Sequence, residues 1–87
     1  MVKEVVIKNK FGLHSRPATL LVATAQKFKA DIQLRKDETA VDAKSILEVM
    51  SIACAQGTSL AIKAQGVDEV EALDSLTDLI NNRFGEE

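Results

Sequence analysis

Apolar residues recur along this chain with two different spacings, and the order of those spacings restricts the fold more than any other feature. Alternation of apolar and polar residues is typical of strands, whereas apolar positions three and four residues apart are typical of helices. The alternating stretches are residues 3–8, 31–36, 39–43 and 60–65, and the helical spacings cover residues 15–27, 45–54 and 68–84. The sequence therefore predicts the element order β-α-β-β-α-β-α.

Most of the predicted elements have one apolar side. Val5 and Ile7 share a side of the first strand. The other predicted core residues are Ile32, Leu34, Val41, Leu60, Ile62 and Ala64 in the strands, Ala18, Leu21, Val22, Ala25 and Phe28 in the first helix, and Val70, Leu73, Leu76, Thr77, Ile80 and Phe84 in the third. Such elements pack most simply as an antiparallel sheet with helices on one face and water on the other. We expect an α+β open-faced sandwich with a single domain over residues 1–87, a length too short for two.

Local signals predict where the second helix begins and ends. Ser45 and Glu48 form the S-x-x-E pattern of a capping box, in which Ser45 is the N-cap. We expect the helix to continue through Cys54, a small core residue, until Gln56–Gly57 ends it.

Composition and charge exclude several classes of function. The net charge of -2 and the presence of three aromatic residues, all phenylalanine, argue against nucleic-acid binding. One histidine and one cysteine are a poor basis for a zinc site, and the chain lacks a glycine-rich loop for a nucleotide. No apolar run approaches a membrane span, and the start of the chain is unlike a secretory signal. We therefore expect a cytoplasmic monomer without a metal or cofactor.

The stretch Phe11–Thr19 places the only histidine beside an arginine where a helix should begin. Pro17 fits only the first turn of a helix, so we expect His14 near the N-cap. The backbone N–H groups of Ser15 and Arg16 would then lie beside the ring and attract an anion, phosphate above all.

The same stretch has the groups that phosphoryl transfer needs. A histidine ring can attack phosphorus near neutral pH, and the guanidinium of Arg16 can stabilise the phosphoryl oxygens. A domain of this size offers neither a deep pocket nor a second catalytic group for His14. The pattern therefore favours a carrier that passes a group between proteins over a self-contained enzyme, and a histidine with no role beyond structure is the alternative.

The predicted second helix is apolar on more sides than a sheet can cover. Val49 and Ile52 can face the sheet, but the remaining apolar residues cannot all follow. We interpret the exposed ones as a docking patch for partner proteins, and a crowded core is the alternative. The predicted docking residues are Leu20, Ile46, Leu47 and Met50.

Ser45 has two interpretations. As an N-cap it stabilises the helix by about 1 kcal/mol and needs no other role. A phosphate on the same hydroxyl would meet the helix N-terminus favourably and add negative charge to the docking surface. Regulatory phosphorylation at Ser45 is therefore our second functional hypothesis.

Two segments carry specific motifs. The first is Gly12–Ala18, with the sequence Gly-Leu-His-Ser-Arg-Pro-Ala, and the second is Lys44–Ile46, followed by Val49–Ser51. With these motifs at their places in β-α-β-β-α-β-α, the chain resembles, over nearly its full length, the HPr family of histidine-containing phosphocarriers. That family serves the bacterial phosphoenolpyruvate-dependent sugar phosphotransferase system. The resemblance implies a four-stranded antiparallel sheet of order 1-4-2-3.

The resemblance also implies roles for single residues. His14 would accept a phosphoryl group on Nδ1 from enzyme I, which phosphoenolpyruvate charges, and Arg16 would assist the phosphohistidine. The acceptors would be the A domains of sugar permeases. Ser45 matches the serine that HPr kinase/phosphorylase modifies in many bacteria, which would link the carrier to a transcriptional regulator and to carbon catabolite control.

Two residues depart from the family pattern. Ser15 stands where Ala or Thr is common, a change we expect to be harmless. Glu48 replaces the Gly or Lys often found on the docking helix, and its charge would weaken encounter with acidic partners or select a different one. Two alternatives therefore stay open: the carrier of the nitrogen-related phosphotransferase branch, and a regulatory binding module controlled mainly through Ser45.

Overall fold

The computed structural model describes residues 1–52 and 54–86, so Ala53 of the predicted second helix and Glu87 lie outside the described part. The elements follow the predicted order. They are β1 (Val2–Val6), α1 (Ser15–Ala25), β2 (Asp31–Lys36), β3 (Thr39–Asp42), α2 (Ile46–Ser51), β4 (Ser59–Gln65), α3 (Glu69–Asn81) and a 3₁₀ turn at Arg83–Gly85.

The four strands form one antiparallel sheet in the order β1-β4-β2-β3. Val5 pairs with Leu60, and Leu34 pairs with Val41 on one side and Ile62 on the other. Residues directly opposite each other project from the same face of a sheet, so this register gathers the predicted apolar side of every strand. The expected topology is confirmed.

The helices lie on one face of the sheet, and the core lies between the two layers. Of the predicted core residues, only Phe28, which is half-buried, and Val70 escape full burial. On the opposite face the side chains of Gln33, Arg35 and Lys63 are exposed. The open-faced α+β sandwich is therefore confirmed.

The second helix is shorter than predicted. α2 ends at Ser51, and Ile52 already has extended backbone angles, φ -92° and ψ 105°. Cys54 lies beyond the helix, where its carbonyl accepts a hydrogen bond of 2.8 Å from the N–H of Leu13. Because this carbonyl is bonded to the loop before α1, the predicted continuation through Cys54 to Gln56–Gly57 is wrong.

Cys54 is nevertheless a buried core residue, as predicted. Desolvation by burial raises the pKa of its thiol, and the positive charge of Lys36 offsets this only in part. A protonated, buried thiol is a poor nucleophile, so Cys54 acts here as a small apolar side chain.

The N-cap of α2 is the predicted residue, but only half of the capping box forms. The Ser45 hydroxyl accepts a hydrogen bond from the N–H of Glu48 at 3.3 Å. The Glu48 carboxylate does not bond back to Ser45; it accepts the N–H of Asp42 at 3.1 Å. Ser45 instead donates its own N–H to the carbonyl of Asp42 at 3.1 Å, which leaves Glu48 free to tie β3 to α2.

Two predicted core positions of the third helix behave differently. Val70 is 47% exposed. It lies roughly 90° around the helix from the middle of the buried stripe formed by residues 72, 73, 76, 77 and 80, at 100° per residue. Phe84 is buried but follows α3, because Arg83 and Phe84 have positive φ angles of 56° and 55° that turn the ring back into the core. Its predicted place within the helix is therefore wrong.

A carboxylate at the start of α3 joins two distant parts of the fold. Asp68 accepts the backbone N–H groups of Lys29 and Ala30, each at 2.8 Å, just before β2 begins. The hydrogen bond from Lys29, supported by that from Ala30, lowers the pKa of the Asp68 carboxyl although partial desolvation opposes the shift.

This contact predicts a pH-dependent contribution to stability. Because the pKa of Asp68 is below its ordinary value of 3.8 in the folded chain, the stabilisation is present above that value and is lost as the pH falls through the folded pKa. Asp68→Asn should therefore lower the free energy of unfolding in urea at about pH 7, and the difference from wild type should shrink at about pH 2. Asp74→Asn, at an exposed position of α3, is the control. An equal difference at both pH values would contradict the prediction.

Candidate functional site

His14 stands at the junction of the β1–α1 loop and α1, where the sequence predicts it. It is the N-cap residue, with extended backbone angles (φ -89°, ψ -170°), and its carbonyl accepts the N–H of Ala18 at 2.9 Å. Pro17 and Ala18 are buried in the first turn and fix the helix against the core. The His14 side chain is 39% exposed. The backbone of His14 is therefore fixed, while part of its ring is accessible to a partner protein.

The loop before His14 is pressed against the segment that follows α2. Gly12 has a φ of +70°, and a Cβ at this position would overlap the carbonyl oxygen of Cys54 and lie 2.9 Å from the Cα of Ala55. The next residue, Leu13, is buried and donates its N–H to that same carbonyl. Only glycine allows this approach, which sets the position of the following histidine.

A carboxylate from the far end of the chain binds the histidine ring. Glu86, 72 residues away in sequence, places its two carboxylate oxygens 3.0 Å and 3.2 Å from Nε2 of His14. The buried amide of Asn9 donates through Nδ2 to Glu86 at 3.0 Å and to the carbonyl of Gly12 at 2.6 Å. Within residues 1–52 and 54–86, both hydrogen bonds of the ring use Nε2, and none uses Nδ1.

Sequence reasoning missed both Asn9 and Glu86. Asn9 lies in a turn signal, but nothing in its neighbourhood indicates that its side chain is buried. Glu86 carries no local signal at all, because only the reversal of the chain after α3 brings it to His14. A search for carboxylates able to reach the only histidine would have needed the tertiary fold.

The charges around the ring support an ionised carboxylate. Partial desolvation raises the pKa of Glu86, but hydrogen bonds from Asn9 and His14, with the positive charges of His14 and Arg16, lower it further than desolvation raises it. Arg16 is exposed on the first turn of α1, so its guanidinium can turn toward an anion at the ring.

The first turn of α1 is open to an anion. No side chain of the described residues caps it, and it contains no acidic residue. The N–H groups of Ser15 and Arg16 precede the first bond within the helix, and Pro17 has no N–H to offer. The helix N-terminus adds a positive partial charge next to His14, its N-cap residue.

Exposed apolar side chains lie on the helix that follows His14 and on the helix packed beside it. Leu47 is 83% exposed, and Leu20, Ile46 and Met50 are also exposed, on the adjacent helices α1 and α2. This exposure agrees with the predicted excess of apolar residues on α2. The predicted docking residues did not include Phe11. Its side chain is 74% exposed and meets the His14 ring edge-on, with 6.3 Å between the ring centroids.

The described part of the chain has neither a metal-binding cluster nor a membrane-spanning helix. No group of three or more His, Cys, Asp or Glu side chains among residues 1–52 and 54–86 is placed to hold a metal ion. Within the same residues, no helix has the length and apolar character needed to cross a bilayer.

Comparison with known proteins identifies the family. Residues 1–82 match the family model described as the phosphotransferase system HPr component phosphorylation site. The phosphocarrier protein HPr of Neisseria meningitidis serogroup A is 42% identical over 87 residues, which cover 99% of this chain and 98% of that protein.

Solved structures agree with this match. The crystal structure of HPr-C-His from Thermoanaerobacter tengcongensis has a TM-score of 0.97 and 48% identity, covering 100% of this chain and 98% of that one. A dimer of HPr from the same organism has a TM-score of 0.81 and 50% identity over 94% of each chain. The family motifs, the 1-4-2-3 sheet and these similarities lead to one conclusion: the chain belongs to the HPr family of phosphocarrier proteins of the phosphotransferase system.

Proposed function

We propose that this chain carries a phosphoryl group on Nδ1 of His14, taking it from phosphorylated enzyme I and passing it to the A domains of sugar permeases. The observation that carries the proposal is the arrangement of the ring. Nε2 is bound to Glu86, and Nδ1 has no hydrogen-bond partner among the described residues, in a ring that belongs to the N-cap residue of α1.

The step needs no base in this chain. A neutral ring with its proton on Nε2 has its free electron pair on Nδ1, which attacks the phosphorus of the donor phosphohistidine. The Nδ1–P bond forms, the N–P bond of the donor breaks, and that electron pair returns to the donor ring. The N–H groups of Ser15 and Arg16, with the Arg16 guanidinium, stabilise the phosphoryl oxygens during transfer.

Docking in this proposal uses the exposed apolar surface. Leu20 lies on α1, six residues after His14, and Ile46, Leu47 and Met50 lie on α2. Phe11 adds an aromatic ring that meets the His14 ring edge-on. A partner that covers these side chains also excludes water from the phosphoryl group, which favours transfer to another protein over hydrolysis.

The test is incubation of the chain with enzyme I and phosphoenolpyruvate. A phosphate that is labile in acid and stable in base should appear, peptide mapping should place it on the peptide containing His14, and ³¹P NMR should assign it to Nδ1. Addition of a permease A domain should then remove it. Failure to acquire any phosphate, or a phosphate stable in acid, would reject the proposal.

Ser45 is the second site that we propose, as a regulatory one. Its hydroxyl caps α2 at the edge of the docking surface, one residue before Ile46 and two before Leu47. A phosphate there adds a charge of about -1.5 to -2 and stays compatible with the helix N-terminus. The added charge would repel acidic partners without unfolding α2.

HPr kinase/phosphorylase with ATP tests this second site. We expect acid-stable phosphate on the wild type and none on Ser45→Ala, while phosphorylation of both proteins by enzyme I continues. The Ser45-phosphorylated wild type should accept phosphate from enzyme I at least about tenfold more slowly, because the partner must approach an added negative charge. An unchanged rate would refute a regulatory effect on this carrier step.

A further inference from the structure

We propose that Glu86 is a positioning residue that keeps the proton of His14 on Nε2 and thereby directs phosphorylation to Nδ1. This inference rests on the proposed function, since it concerns which nitrogen of the same ring accepts the group. It assigns a task to a side chain that neither the sequence motifs nor the first turn of α1 contains.

Among the described residues, hydrogen bonds hold the His14 ring through Nε2 alone. An ionised carboxylate has no proton to donate, so a nitrogen 3.0 Å and 3.2 Å from its two oxygens must itself be the donor. The shared proton therefore belongs to Nε2, which also becomes inaccessible to a phosphoryl donor. Nδ1 then holds the lone pair of the neutral ring.

Asn9 gives the carboxylate a fixed position relative to the ring. Its amide is fully buried and bonds at once to Glu86 and to the carbonyl of Gly12 in the loop that ends at His14. The same short loop therefore holds the carboxylate, through Asn9, and the ring, through its backbone. The positive charge of Arg16 also lowers the pKa of Glu86 and so helps to keep the carboxylate ionised.

Glu86 also stabilises the charge that develops on the ring during phosphoryl transfer. When Nδ1 bonds to phosphorus, Nε2 retains its proton and the ring becomes a cation. The Glu86 carboxylate faces that cation through an existing hydrogen bond, so no group has to move as the charge develops. When the phosphoryl group passes to an acceptor, the electron pair of the N–P bond returns to Nδ1 and the ring is neutral again, with the same proton on Nε2.

The experiment uses phosphoramidate as a small phosphoryl donor, so that no docking protein selects the nitrogen. In the wild type, ³¹P NMR should show phosphate on Nδ1. In Glu86→Gln and Glu86→Ala, the ratio of Nε2 to Nδ1 product should rise about tenfold, the effect expected for loss of a hydrogen bond to a charged group. Glu86→Asp should restore part of the Nδ1 preference. Glu71→Gln, which removes the same charge at an exposed position of α3, should not alter the ratio.

A second measurement distinguishes control of the His14 proton by Glu86 from a role of Glu86 that only attaches the segment after α3 to the fold. The ring ¹⁵N chemical shifts of unphosphorylated wild type should show the proton on Nε2, and the Glu86 variants should show a larger share of the Nδ1–H form. Unchanged shifts together with an unchanged product ratio would overturn this inference even if enzyme I still phosphorylates the variants. Failure of enzyme I to phosphorylate the wild type would instead reject the proposed function.

Discussion

His14→Ala is expected to abolish acid-labile phosphate after incubation with enzyme I and phosphoenolpyruvate, while the chain stays folded. The ring supplies the only nucleophilic nitrogen of the proposed site, and alanine leaves no atom that could replace it. The fold does not depend on the ring, because the backbone carbonyl of residue 14, not the side chain, bonds to Ala18. The side chain itself contacts the partly exposed Glu86 and the exposed Phe11.

The measurement is phosphate incorporation beside circular dichroism and thermal unfolding of the same preparations. Label should fall to background in His14→Ala, with helix content and thermal midpoint close to those of wild type. Asp74→Ala, an exposed substitution on α3, should keep full labelling. Labelling of His14→Ala at the wild-type level would show that the phosphate is carried elsewhere.

Gly12→Ala is expected to have the largest effect on stability. Residue 12 has a φ of +70°, which costs an alanine about 1–2 kcal/mol. The new methyl group would also overlap the carbonyl of Cys54, so the loop must move and lose the hydrogen bond from Leu13, worth about 1 kcal/mol. The free energy of unfolding should fall by about 2–3 kcal/mol.

Gly57→Ala separates the two causes. Gly57 also has a positive φ, +91°, but none of the described residues beyond its chain neighbours lies within 4 Å of the position that its Cβ would take. Its substitution should cost only the backbone strain of about 1–2 kcal/mol and leave phosphate acceptance unchanged. Gly12→Ala, in contrast, should also slow acceptance from enzyme I, because His14 moves with the loop. Equal urea midpoints for the two variants would contradict the contact with Cys54.

The parts of the fold that depend on neighbouring residues in the sequence were predictable. The two spacings of apolar residues predicted every strand and helix in order, and the Pro17 and Ser45 signals predicted where α1 and α2 begin. The end of α2 was not predictable, because the carbonyl of Cys54 bonds to the loop before α1. Phe84 was predicted as a helical core residue but reaches the core through a left-handed turn after α3.

The candidate site also has some features that the local sequence predicts and others that depend on long-range contacts. The sequence alone determined that a histidine begins a helix beside Arg16, since proline, glycine and the helix N-terminus act within a few residues of one another. Only the tertiary structure decided which ring nitrogen is hydrogen-bonded. That choice depends on Glu86 and Asn9, which meet His14 because the helices and the sheet close into one packed body. A hydrogen bond acts over about 3 Å in space, whatever the separation along the chain, so no local pattern around His14 could have contained it.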